Sequence, residues 1–214
     1  MFLKNVILSV PLKYLTLTVF IFNQLINAQL SDYNYFSLGG RSTLSGFSHD
    51  GWGIGTGGQF RMELSRRVNT DWFADYIVVQ NNPEIKSEYY HIGWSVLFYP
   101  FDKLRFPEYR LQPFVLAGHC FDYNRKSVVA LPSLSVGRWG SAVQGGFGTH
   151  YHINERTDLT LMAQYMIHLT EEVDLRKHED GSFESHKHSH GGLEGHLLIT
   201  LSMSYKIFKL WKRK

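Results

Sequence analysis

Residues 158–169 alternate almost without error. Leu159, Leu161, Ala163, Tyr165, Ile167 and Leu169 fall on one side, and Asp158, Thr160, Gln164 and His168 on the other. A two-residue period marks a strand with one apolar and one polar face. The pattern returns near the C-terminal end, where Leu193, Leu197, Ile199, Leu201, Met203, Tyr205 and Ile207 oppose Glu194, His196, Thr200, Ser202, Ser204 and Lys206. Both runs outlast an ordinary soluble strand. A strand that crosses a bilayer needs about 9–11 tilted residues, so they have the length and polarity of membrane-spanning strands in a closed barrel.

Ahead of any such strand lies a segment with the pattern of an export signal. Lys4 and Lys13 precede an apolar stretch at 15–22, and Ile26-Asn27-Ala28 ends on a small residue. Residues 1–28 are expected to be a signal peptide cleaved after Ala28, leaving residues 29–214 as one barrel domain. Subtracting the two leader lysines from a formal charge of +3 leaves +1. A charge that small, with only the short basic run Lys209, Lys212, Arg213 and Lys214, argues against nucleic acid as a partner. Cys120 stands alone, which rules out an intrachain disulfide framework. The chain carries 15 phenylalanines, 12 tyrosines and 5 tryptophans, a supply that suits aromatic girdles at two membrane interfaces.

Eight extended segments can be placed after the leader, near 35–44, 53–66, 71–80, 88–99, 111–121, 140–153, 158–169 and 193–207. The fifth is apolar on both sides, so its faces stay unassigned. Connections at 67–70 and 154–157 read as tight turns and 100–108 as a moderate one. Those at 45–52, 81–87, 122–139 and 170–192 read as long loops. Short turns on one side and long loops on the other give a barrel a periplasmic and an external end. The expectation is an all-β, eight-stranded antiparallel transmembrane β-barrel with up-and-down meander topology.

The run Pro113-Phe114-Val115-Leu116-Ala117-Gly118, then Gly145-Gly146-Phe147-Gly148, an Asn154-Glu155-Arg156 turn and residues 159–165, resembles the small outer-membrane β-barrel family of Gram-negative bacteria, similar to the OmpA and OmpX transmembrane barrels. The likeness spans nearly the whole mature chain. It implies a monomer in the cell outer membrane that touches outer-membrane lipids and lipopolysaccharide and is inserted by the barrel-insertion machinery. That machinery reads a terminal aromatic residue in the family, whereas here Phe208 and Trp211 are followed by further residues.

Arg41, Arg61, Glu63 and Asp75 fall on the predicted inward face. Eight strands enclose a lumen just wide enough for side chains to fill, so these charges are expected to form an ion-pair network that plugs it. A selectivity ring in a small porin-like pore is the alternative. Histidine supplies a second theme. His186, His188 and His190 share one side of an extended segment, with Glu179, Asp180 or Glu184 nearby, a donor set that zinc, copper or nickel would accept. A further rim cluster is expected from His168, Glu194 and His196, because the last two strands are antiparallel neighbours.

One enzymatic reading arises. Residues 164–170 followed by 192–196 are similar to the lipid A deacylase barrels, which use a histidine, a serine two residues later and a glutamate beyond. Thr170 stands where the serine would be, and His168 shares its face with Asp158 and Gln164, toward the lumen rather than lipid. No catalytic residue is therefore assigned. The expected role is structural or surface interaction through long external loops, with no cofactor other than a metal ion at the histidines.

Overall fold

Every second side chain along a strand must find either water, lipid or protein, and here the two faces find different solvents. The computed structural model describes residues 34–47, 51–80, 83–101, 109–169, 172–177, 183–188 and 195–210. Its strands are β1 (Tyr35–Phe47), β2 (Gly51–Glu63), β3 (Val68–Val79), β4 (Ile85–Phe98), β5 (Leu111–Val128), β6 (Leu131–His152), β7 (Thr157–His168), β8 (Glu172–Lys177), β9 (Phe183–His188) and β10 (Gly195–Lys209). Eight of them close into a barrel in the order β1-β10-β7-β6-β5-β4-β3-β2, each antiparallel to its neighbours. The remaining two, β8 and β9, pair with each other as a separate hairpin. The predicted leader, 1–28, lies outside the described residues.

Polarity is inverted relative to a water-soluble protein. Ser37, Arg41, Thr43 and Ser45 of β1 are buried, while Leu38 and Leu44 are exposed. The same holds on β10, where His196, Thr200, Ser202 and Ser204 are buried and Leu197, Ile199, Leu201 and Met203 are exposed. So much contiguous apolar surface would drive aggregation in water. Lipid wets it without cost, and closure gives each strand of the wall two hydrogen-bonded neighbours in hydrocarbon. The chain is a transmembrane β-barrel.

Two rows of aromatic rings run across this wall. Phe208, Phe36, Phe60, Trp72 and Trp94 stand side by side with centroids 5.0, 5.7, 5.9 and 6.3 Å apart, toward the turn end of the barrel. Tyr76, Tyr90, Tyr123 and Trp139 form the second, toward the other end, at 4.9, 6.0 and 5.1 Å. Amphipathic rings of this kind anchor a barrel at headgroup level.

Side chains close the tight turns. Ser65 Oγ accepts from the amides of Arg67 and Val68 at 3.3 and 3.0 Å, and Asn154 Oδ1 accepts from Arg156 and Thr157, both at 2.9 Å. The first turn thus sits at 64–67, earlier than the 67–70 expected, because Ser65 supplies the cap and Asn69 already belongs to β3.

The external connections differ more. Residues 122–139, expected as a long loop, are mostly strand: β5 runs to Val128 and β6 resumes at Leu131. Tyr123, Val128, Val129, Leu131 and Val136 give that stretch the β-branched and aromatic character of a strand, and pairing with β4 continues up to Ile85 opposite Val128. The expected loop at 170–192 likewise contains β8 and β9. The wall is therefore taller on one side. Beyond Ala142, which pairs with His168 at the end of β7, β6 continues for the ten residues Leu131 to Gly140 with β5 as its strand neighbour among the described residues. That is roughly 35 Å of extended chain.

The faces of β5 resolve as well. Gln112, Phe114, Leu116, Cys120 and Asp122 point inward and Leu111, Val115 and Phe121 outward. The strand is apolar on both sides because the lumen is not wholly polar. Phe114, Leu116, Leu97, Tyr99 and Met162 form one interior apolar cluster, and Phe73, Ile77, Tyr89, Cys120, Ala142, Met166 and Leu198 belong to another.

Candidate functional site in the barrel lumen

From the turn end upward, the lumen holds polar contacts at successive levels. Lys206 Nζ lies 3.4 Å from Glu63 Oε1, and His152 Nε2 lies 3.0 Å from Gln112 Oε1. Above them Arg61, on β2, spreads its guanidinium across the barrel. It donates to Asp71 through Nε at 2.7 Å and Nη2 at 3.3 Å, and to Asp158 of β7 through Nη1 at 3.0 Å. The fork satisfies two carboxylates with one cation. All three side chains are at most 4% exposed.

His150 continues this level, with Nδ1 2.7 Å from Thr160 Oγ1 and Nε2 2.8 Å from Tyr99 Oη, while Asn69 Nδ2 donates to the same phenol oxygen at 2.8 Å. Phe114 stacks on the His150 ring at 4.6 Å. Midway up are three amides: Gln144 donates to Ser95 Oγ at 2.8 Å, Gln164 to Gln144 Oε1 at 3.0 Å, and Gln59 to Ser204 Oγ at 3.0 Å.

Higher still, Arg41 Nε is 3.0 Å from Asp75 Oδ1, an ion pair whose N–H is not aligned for a hydrogen bond. Arg41 also donates to Thr200 Oγ1 at 3.4 Å and lies over the Phe73 ring at 4.4 Å. Gly57 faces this pair from β2. A methyl group there would collide with the Ala74 carbonyl and the Asp75 carboxylate, so the residue is glycine for room rather than for a bend.

At the outer end stands a layer of histidines. In register across the wall, Asp75 is opposite His91 and His91 opposite Asp122. His168 Nδ1 is 3.2 Å from Asp122 Oδ2, and its Nε2 is 2.9 Å from His196 Nδ1. His91 on β4 and His196 on β10 stand on opposite walls, yet their ring centroids are 5.6 Å apart.

The structure thus places Arg41, Arg61, Glu63 and Asp75 in the lumen, but as two ion-paired sets at different heights, with Glu63 on Lys206 near the mouth. Asp71, Asp158, His150 and Tyr99 complete the Arg61 set. Of the rim cluster, His168 and His196 are in hydrogen-bond contact and Glu194 lies outside the described residues. Asp122 and His91 are the partners that sequence reasoning left out. His186 and His188 lie on β9, in register with Asp174 and Glu172 of β8, while His190, like Thr170, is outside the described residues. Among the described residues no three His, Cys, Asp or Glu side chains stand at coordination distance of one another.

No family model and no curated protein matches the chain. Solved structures do. The chain superimposes on Neisserial surface protein A (NspA) with a TM-score of 0.52 at 14% identity, covering 81% of this chain and 96% of that one. It superimposes on a major outer membrane protein from Thermus thermophilus with a TM-score of 0.58 at 9% identity, covering 81% and 98%. At such identities the shared property is the fold, a closed antiparallel barrel used by outer-membrane proteins.

Proposed function

We propose that this chain is a structural and surface-interaction barrel of the cell outer membrane, a rigid stalk rather than a conduit. The observation that carries the reading is the contact of side chains across the lumen at both ends, Arg61 on β2 with Asp158 on β7 and His91 on β4 beside His196 on β10. Each contact closes cross-section that a hydrated ion would need. In planar bilayers the purified barrel is expected to show no stable single-channel steps, and steady, voltage-sustained conductance would overturn this reading.

Its partner in the outer leaflet is lipopolysaccharide. Above the tyrosine row, on the same outward face, Lys86 Nζ is held at 2.8 Å by Glu88 Oε1, which also accepts from Tyr76 Oη at 2.6 Å. Arg125 is opposite Glu88 in register. Cations just outside an aromatic row sit where lipid phosphates lie. Thermal unfolding in bilayers with and without lipopolysaccharide tests this: the added lipid should stabilise the native chain, and Lys86→Ala with Arg125→Ala should abolish the difference. An unchanged difference in the double variant would refute the assignment.

A further inference from the structure

We infer that the outer end of the lumen is a binding site for one divalent transition-metal ion, with His91, His168 and His196 as ligands and Asp122 as the carboxylate that orients His168. The argument starts from unmet polar atoms. His91 is 0% exposed and neither of its ring nitrogens has a hydrogen-bond partner among the described residues. Among the same residues His196, 2% exposed, has no partner for its Nε2, nor does Asp122 for its Oδ1. Polar atoms taken out of water carry their full desolvation cost if nothing answers them, and here four of them share one layer.

The contacts of His168 assign which lone pairs are open. Asp122 Oδ2 lies 3.2 Å from His168 Nδ1, and a carboxylate at that distance draws the imidazole proton to Nδ1, which leaves Nε2 bare. His196 must then donate from Nδ1 to His168 Nε2, which leaves His196 Nε2 bare in turn. The layer therefore presents imidazole lone pairs backed by a carboxylate, and among the described residues no donor is hydrogen-bonded to His91 or to His196 Nε2. A carboxylate on the far nitrogen of a ligating histidine is the usual support of a metal site. Imidazole donors select zinc, copper or nickel over hard cations.

The surroundings suit such an ion. Phe47 packs on His196 at 4.3 Å and on Tyr89 at 4.1 Å, giving an apolar shell. His168, with a side chain 16% exposed, is the open edge through which an ion enters from outside. As the rings stand, their nitrogens do not converge on one point, and binding requires His196 to give up its hydrogen bond to His168. On binding, the His196 proton passes from Nδ1 to Nε2 and the ring ligates through Nδ1: two imidazoles on a tetrahedral ion with bonds of about 2.0 Å have nitrogens roughly 3.3 Å apart, against the 2.9 Å between His196 Nδ1 and His168 Nε2.

The test uses the mature barrel in detergent, stripped with chelator and titrated with Zn2+ by calorimetry, and with Co2+ to read the absorption bands of four-coordinate geometry. Four variants are compared: His196→Gln, His91→Phe, Asp122→Asn, and His186, His188 and His190 together to Ala. An unboiled gel verifies that each remains a folded barrel. The expected result is one Zn2+ per barrel, retained in the triple variant. Binding should weaken by more than tenfold in His196→Gln and His91→Phe and by about tenfold in Asp122→Asn. If either ligand variant fails to fold, Asp122→Asn and the Co2+ spectrum of the native chain decide. Loss of binding in the triple variant, unchanged binding in Asp122→Asn or His196→Gln, or no stoichiometric binding at all would each overturn the inference.

Discussion

Arg61→Ala should be among the most damaging single changes in this barrel. Arg61 is 2% exposed and donates three charge-assisted hydrogen bonds to Asp71 and Asp158 at 2.7, 3.0 and 3.3 Å. Removing it leaves two buried carboxylates facing each other's charge, and a broken buried pair costs about 3–5 kcal/mol. With a urea slope of about 2 kcal/mol per molar, the unfolding midpoint in detergent should fall by roughly 1.5–2.5 M. Tryptophan fluorescence reports the transition, since Trp72 and Trp94 lie on the lipid face, and unboiled gel mobility reports it independently. A second arm isolates the charge: Arg61→Met combined with Asp71→Asn and Asp158→Asn keeps most of the volume and removes every ion. It should recover more than half of the loss. A midpoint for Arg61→Ala within about 0.3 M of the native value would refute the reasoning, as would a triple variant no better than the single one.

Packing of glycine makes a paired prediction: Gly57→Ala should destabilise by about 1–3 kcal/mol because its methyl meets backbone and the Asp75 carboxylate, whereas Gly40→Ala, with open space around it, should be neutral or slightly stabilising. Parallel urea titrations of the two variants compare them directly, and equal effects would count against the packing account. Cys120 is 0% exposed and its Sγ donates to the Phe121 carbonyl at 3.2 Å, so a maleimide should label it only as the barrel unfolds. Prompt stoichiometric labelling of the folded protein would contradict the orientation of β5.

Where one face of a strand meets lipid and the other a polar lumen, the sequence writes that difference as alternation, and β7 and β10 could be read residue by residue. β5 could not, because Phe114, Leu116 and Cys120 line an apolar part of the lumen and hide the period. The external hairpin of β5 and β6 was equally hidden: its Arg125, Lys126 and Arg138 look like loop residues, yet outside the membrane a strand need have no apolar face. Parity put Arg41, Arg61 and Asp75 on the inward side, and the same parity applied to Asp71 would have added it. Heights and partners are another matter. That His91 reaches His196 depends on strand tilt and closure, which bring β4 and β10 face to face though 105 residues separate these two positions, and no local pattern carries that information.

The seam of the cylinder joins Tyr35 to Lys209 and Phe47 to His196, so its first strand waits for its last. Until β10 has emerged and found β1, the nascent wall has two raw rims whose amides and carbonyls hydrocarbon cannot satisfy. Entry into the bilayer and closure must therefore happen together, late, and with the whole polypeptide delivered. A chain cut short before Gly195 would be left as a curled sheet with nowhere stable to go.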